Sequence, residues 1–162
     1  MITMKGNPVT TEGKQLAAGD SMPAFTLSAN DLSDVAFAST SGVRVFVTVP
    51  SLDTPVCDLE VRRFNTKAAE LGAAIYAVSM DLPFAQARWC AAAGIDAVKT
   101  LSDYKHRQFG IATGTYIKEL GLLARAVFVV GSDGKISYVQ YVPEVTDHPD
   151  YEKAYAAVMA AK

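Results

Sequence analysis

The sequence predicts an α/β fold with a mixed central sheet flanked by helices and a β-hairpin at the N-terminus. Three observations lead there. Val43–Val49 is a β-branched, apolar run that stops at Pro50, the pattern of a buried strand. Beyond it, Cys57, Val61, Phe64, Ala68 and Leu71 recur at intervals of four, three, four and three residues, one apolar face at the helical period. Ala73–Met80 then returns to a strand-like run. Two strands joined by a helix imply a right-handed crossover and parallel pairing at the centre of the sheet.

The remaining elements follow along the chain. Gly6–Leu16 is short, β-prone and broken by turn residues, which predicts a hairpin capping the main fold. Ser21–Thr40 scatters Phe25, Leu27, Leu32 and Phe37 among Pro23, Asn30 and Asp31, which predicts loop with short strands. Gly72 ends the first helix. Pro83–Ala93 is a second helix stopped by Gly94, with Phe84, Ala87 and Ala91 on one face and Cys90 pointing well away from its centre. Leu122–Val130 and Ile136–Val142 are strand-like, and the turn-rich link Gly131–Lys135 makes them a hairpin. Tyr151–Ala161 is a closing helix with Asp150 as its N-cap. The order β, α, β, α, β-hairpin, α is that of a thioredoxin-like fold, expected as one domain over residues 1–162.

Composition narrows the function classes. A net charge of −2 and dispersed Lys and Arg offer no basic stripe for phosphates, so nucleic acid is not an expected partner. No stretch approaches the ~20 apolar residues of a membrane span, and Met1–Asp20 lacks the apolar core of a secretion signal. The expected location is the cytoplasm, a compartment that keeps ordinary thiols reduced. The two cysteines, Cys57 and Cys90, are therefore either inert core residues or chemistry. Zinc held by both cysteines with His106 and His148 is disfavoured, because the 33-residue offset between the cysteines lacks metal-knuckle spacing. Both histidines are expected at the surface, and no cofactor is expected.

The informative segment is Pro50-Ser51-Leu52-Asp53-Thr54-Pro55-Val56-Cys57, between the first central strand and the first helix. With Pro55 at the first helical position, Thr54 is the N-cap and Cys57 the third helical residue, facing free backbone N–H groups. The positive end of the helix favours a thiolate there. Lowering a thiol pKa from ~8.5 to about 6 gains only roughly 30-fold in reactive species. Further acceleration needs donors fixed on the reacting oxygens, each typically worth ~10²–10³-fold. Asp58 and Glu60 oppose ionisation of Cys57, so a compensating cation is required; the candidates are Arg62, Arg63, Arg88, Lys105, Arg107 and Arg125. Arg125 lies inside a predicted strand, where a bland role is hard to find.

Pro50-x-x-x-Thr54-x-x-Cys57 resembles the active-site motif of the peroxiredoxin family, and Ser51–Cys57 is more closely similar to its bacterial thiol peroxidase branch, of the atypical two-cysteine kind. Lys5–Val9, Met80–Gln86 and Leu123–Phe128 extend the resemblance over nearly the whole chain. Gly131 stands where an acidic residue is common. The resemblance implies that Cys57 is the peroxidatic cysteine and Cys90 the resolving one, joined in an intramolecular disulfide. It also implies that Thr54 and Arg125 polarise the peroxide and that Pro50 shields the sulfur from water. The implied substrate is a hydroperoxide, the implied reductant thioredoxin, and the implied assembly a homodimer.

Two other function classes compete with such a peroxidase. A general thiol–disulfide oxidoreductase on this fold would normally carry Cys-x-x-Cys, which is missing from the sequence. A non-catalytic binding module would have no use for cysteine, threonine and arginine together.

Overall fold

The computed structural model describes residues 1–162. A seven-stranded mixed sheet forms its centre. In chain order the strands are β1 (Ile2–Met4), β2 (Asn7–Val9), β3 (Thr11–Glu12), β4 (Thr26–Ser28), β5 (Asp34–Ala36), β6 (Arg44–Thr48), β7 (Ala74–Ser79), β8 (Val98–Ser102), β9 (Tyr116–Ile117), β10 (Leu122–Leu123), β11 (Ala126–Val130) and β12 (Ile136–Tyr141). The helices are α1 (Pro55–Leu71), α2 (Pro83–Ala93), α3 (Gln108–Thr113) and α4 (Tyr151–Ala160). No helix is long and apolar enough to cross a membrane.

The central sheet has the order β12-β11-β6-β7-β8-β4-β5. β6, β7 and β8 are parallel, as the strand–helix–strand pattern predicts, while β11, β12, β4 and β5 add antiparallel edges. Val45, Val47, Ile75, Ala77, Val127 and Val129 bury one face of the sheet against Val61, Phe64 and Leu71 of α1 and Ala154 and Val158 of α4. The alternate residues Phe46, Tyr76, Val78, Phe128 and Val130 meet Phe25 and Phe109 on the other face. Both helices that carry cysteine end as the sequence predicts, on a glycine in the left-handed region, Gly72 (φ 59°) and Gly94 (φ 67°). Asp150 caps α4 by accepting from the Lys153 amide at 3.1 Å.

Three expectations need correction, and one stretch of chain adds elements. The N-terminal hairpin starts earlier than predicted, pairing Ile2–Met4 with Asn7–Val9, while β3 leaves it to join β9 and β10 in a separate three-stranded sheet. The predicted strand Leu122–Val130 is two strands broken at Ala124 and Arg125, because β10 pairs with β9 and β11 with β6. The chain between α2 and β10, left without prediction, contributes β8, α3 and β9. Finally, α2 packs through a different face: Pro83 and Gln86 are buried and Phe84 is 67% exposed. The apolar period misleads here because a glutamine takes the buried position. Gln86 Nε2 donates to Ser79 Oγ at 3.0 Å and to the Leu101 carbonyl at 2.9 Å. Cys90 lies one turn beyond Gln86 on that same side and is half-buried.

Candidate active site

The end of β6 sets the site. β6 and β11 pair with Thr48 opposite Ala126, so the chain leaving β6 towards Pro50 runs beside the chain entering β11 from Arg125. Thr48 Oγ1 donates to the Ala124 carbonyl at 2.7 Å and fixes that junction. A turn follows, in which the Thr54 amide donates to the Ser51 carbonyl at 3.1 Å. α1 then starts on Pro55, so Cys57 is its third residue and is 0% exposed.

Thr54 occupies the N-cap position in an extended conformation, but its side chain makes no capping bond. Its hydroxyl instead lies 2.6 Å from Cys57 Sγ and 2.9 Å from the Ser51 carbonyl. A hydroxyl has a single proton to donate. With a neutral thiol, that proton goes to Ser51 while S–H donates to Thr54; with a thiolate, the hydroxyl turns to the sulfur. The expected backbone donors give way to side chains, because Thr54 and Arg125 are the hydrogen-bond partners of Cys57 Sγ.

Arg125 is the cation the site requires. Its Nη2 donates to Cys57 Sγ at 3.3 Å, its Nε to the Val145 carbonyl at 3.0 Å, and its Nη1 to Glu60. The break between β10 and β11 turns this side chain inward, where it is 1% exposed. The other candidates are engaged elsewhere or lie apart: Arg62 pairs with Asp58, Arg63 stacks on Tyr151, and Arg107 stands over Tyr116.

Glu60 is a site residue that sequence reasoning treated only as a nuisance charge. It lies one turn after Cys57 on the apolar stripe of α1, and a lone carboxylate in such a stripe was the available signal. Its Oε2 meets Arg125 and its Oε1 is buried with no partner. Burial pushes the Glu60 carboxyl up to about 7, against the pull of Arg125. Burial by itself would lower Arg125, yet the charges of Glu60 and Cys57 hold it above its ordinary value.

A cavity of about 250 Å³ opens on Thr54 and Arg125, the two partners of the Cys57 sulfur. Pro50, Thr54, Pro55, Val56 and Arg125 form its floor, and Val145, Thr146, Met4 and Lys5 the rest of its wall. Met4 and Lys5, also missed, come from the N-terminal hairpin. Glu144 holds them there by accepting from Thr3 Oγ1 (2.7 Å) and from the amides of Lys5 (2.9 Å) and Gly6 (3.0 Å). The Gly6 amide, with Thr3 and Thr146, keeps the Glu144 carboxyl well below the usual carboxylate range.

Cys90 stands apart. Its sulfur lies 3.4 Å from Thr100 Oγ1, which donates to Asn30 Oδ1 at 3.1 Å, and it lines a separate cleft of about 560 Å³ with Asn30, Tyr76 and Ile95. Neither cysteine is in a disulfide. The structure thus brings Pro50, Thr54, Cys57 and Arg125 together and leaves Cys90 on another helix. His106 lies 3.4 Å from Asp34 and His148 2.7 Å from the Tyr151 hydroxyl, and neither is hydrogen-bonded to a cysteine.

Comparison with known proteins finds relatives over nearly the whole chain. A family model described as Redoxin matches residues 17–155. A thiol peroxidase of Clostridium acetobutylicum is 55% identical over 162 residues, covering 99% of each chain. A thiol peroxidase of Bacillus subtilis is 52% identical over 161 residues, covering 98% of this chain and 96% of the relative. Among solved structures, a peroxiredoxin-like protein from Aquifex aeolicus superposes with a TM-score of 0.93 at 40% identity, covering 99% of this chain and 96% of that one. A thiol peroxidase from Chromobacterium violaceum shares the fold, with a TM-score of 0.89 at 19% identity over 98% and 95% of the two chains.

Proposed function

This chain belongs to the Redoxin family, and we propose from that premise that it is a peroxiredoxin-type thiol peroxidase working through Cys57 and Cys90. The observation that carries the residue assignment is the convergence of Thr54 Oγ1 and Arg125 Nη2 on Cys57 Sγ beside the cavity. The relatives named above are thiol peroxidases at 52–55% identity, and that supports peroxide reduction with thioredoxin as the reductant.

In the first step the Cys57 thiolate attacks the nearer oxygen of a hydroperoxide. The S–O bond forms, the O–O bond breaks, and the leaving alkoxide or hydroxide takes a proton to become alcohol or water. Thr54 and Arg125 supply donors as charge moves onto the leaving oxygen, each worth about 10²–10³-fold. The guanidinium uses Nε on Val145 and Nη1 on Glu60, so the fork is held rigidly with N–H groups to spare for oxygen. Cys57 is 0% exposed and Pro50 lines the adjoining cavity, which supports a role for Pro50 in keeping bulk water from the sulfur.

In the second step Cys57 sulfenic acid and Cys90 thiol condense to a disulfide and water, and a dithiol then returns both to thiols. The same reading makes residues 1–162 one domain, acting in the cytoplasm as a homodimer. Counting free thiols before and after one equivalent of hydrogen peroxide tests it, followed by turnover with thioredoxin, thioredoxin reductase and NADPH. Loss of both thiols with sustained turnover is expected. Disulfide reduction without peroxide turnover, or neither, would reject the peroxidase reading.

A further inference from the structure

We propose that Asp58 and Trp89 form a latch between the two cysteine-bearing helices, and that this latch sets how fast Cys90 reaches oxidised Cys57. The proposal rests on the peroxidase reading above and makes both residues positioning residues for the second step. Asp58 is the immediate neighbour of Cys57, and Trp89 of Cys90. The indole Nε1–H donates to Asp58 Oδ1 at 2.9 Å, and Arg62 Nε donates to Asp58 Oδ2 at 2.8 Å. Arg62 reaches further, with Nη1 3.4 Å from the Ala93 carbonyl and its guanidinium 6.0 Å from the indole centre. α1 therefore holds the second half of α2 through one carboxylate and one arginine.

The first half of α2 is held differently. Buried Gln86 pins it to Ser79 and to β8 by two hydrogen bonds. Beyond Gln86 the polar ties are the Asp58–Arg62 latch and the Cys90–Thr100 contact. The latch borders a groove of about 310 Å³ lined by Leu52, Thr54, Pro55, Asp58 and Trp89, so water can take over its hydrogen bonds when it opens. A contact of this kind is broken and remade without stranding a buried polar group.

A disulfide requires Cα atoms usually within about 4.4–6.8 Å, and each sulfur has to leave its own partners to reach it, Cys57 leaving Thr54 and Arg125, and Cys90 leaving Thr100. The first turn of α1 and the second half of α2 must both yield. Asp58 belongs to the former and Trp89 to the latter, so either movement breaks the same hydrogen bond. The latch exists only in the closed form, and its strength adds to the cost of opening. It also sets a competition. Cys57 sulfenic acid either condenses with Cys90 thiol, releasing water, or meets a second hydroperoxide, giving Cys57 sulfinic acid and the alcohol. Slower opening favours the second path.

The test is single-turnover disulfide formation in wild type, Trp89→Phe, Asp58→Ala and the double variant. Reduced enzyme is mixed with one equivalent of hydrogen peroxide, acid-quenched at intervals and assayed for free thiols. Sulfinic acid at Cys57 is measured by mass after excess peroxide. Phe keeps most of the ring and removes the N–H, so disulfide formation should quicken about three- to ten-fold and sulfinic acid should fall. Asp58→Ala should do at least as much, because it also releases Arg62, and the double variant should match Asp58→Ala, because the bond that Trp89→Phe removes is already gone there. Asp58→Asn retains an acceptor for the indole and should fall between, which covers a poorly folding alanine variant. Unchanged or slower condensation in both single variants, or multiplying effects in the double, would overturn the latch. Failure of wild type to form any disulfide would reject the peroxidase reading instead.

Discussion

Helices α1 and α2 share their local grammar and differ in what holds them. Each starts with proline, ends on a left-handed glycine and carries one cysteine. α1 buries Cys57, Glu60, Val61, Phe64, Ala68 and Leu71, whereas α2 buries only Pro83 and Gln86. Burying a large apolar side chain is worth about 1.5–3 kcal/mol, and water cannot substitute for that contact. The hydrogen bonds between Trp89, Asp58 and Arg62 that hold the second half of α2 border a groove and can be exchanged for bonds to water at small net cost. The helix fixed by apolar packing therefore presents the cysteine that needs an exact setting of donors, and the helix tied by polar contacts carries the cysteine that has to travel.

The largest effect should come from the fixed side of this comparison. Cys57→Ser should reduce peroxidase turnover to background while urea unfolding stays near wild type, because serine is nearly isosteric yet un-ionised at neutral pH. Substantial residual turnover would remove Cys57 from its role. Arg125→Lys keeps the charge and loses the fork that holds Val145, Glu60 and Cys57 at once. We expect kcat/KM for hydrogen peroxide to drop by about 10²-fold or more. Wild-type kinetics in that variant would show that a point charge suffices.

Glu60 gives a smaller effect with a definite sign. Its folded carboxyl is raised from 4.5 to about 7, so folding favours the protonated form. The associated stability is fully present below the ordinary carboxylate range and is lost as pH rises towards 7. Glu60→Gln should match wild type near pH 5 and become the more stable of the two above pH 7, by at most about 3 kcal/mol. Urea unfolding at both pH values decides. A glutamine variant that loses stability at high pH would mean that pairing with Arg125 outweighs burial.

The sequence made the fixed helix more legible than the movable one. Cys57, Val61, Phe64, Ala68 and Leu71 announce α1 because apolar burial leaves a period. α2 was found but turned the wrong way, since Gln86 is buried for its two hydrogen bonds and no hydropathy pattern records them. Arg125 stands out in the sequence, while the strand break that aims it comes from a short hairpin, Ile117 pairing with Leu122, which the continuous apolar run Leu122–Val130 conceals. Glu60 was seen as a charge but not as the partner of a residue 65 positions away. Met4 and Lys5 reach the cavity through Glu144, more than 130 positions along the chain. The motif residues were thus readable where chemistry is local, and the supporting shell was not, because it is assembled by long-range hydrogen bonds.

The smallest signal addresses the comparison most directly. Trp89 is the only tryptophan in the chain and sits beside Cys90 on the half of α2 that must open. In the closed form its indole is bonded to Asp58, so opening changes both its partner and its solvent exposure. Stopped-flow emission of wild type after one equivalent of peroxide should show a sustained step that a dithiol reverses. Cys90→Ser still forms sulfenic acid at Cys57 but has no disulfide to hold α2 open, so its sustained step should be largely lost. An unchanged wild-type signal during proven disulfide formation, or an identical sustained step in Cys90→Ser, would contradict the opening of the second half of α2 that the account requires.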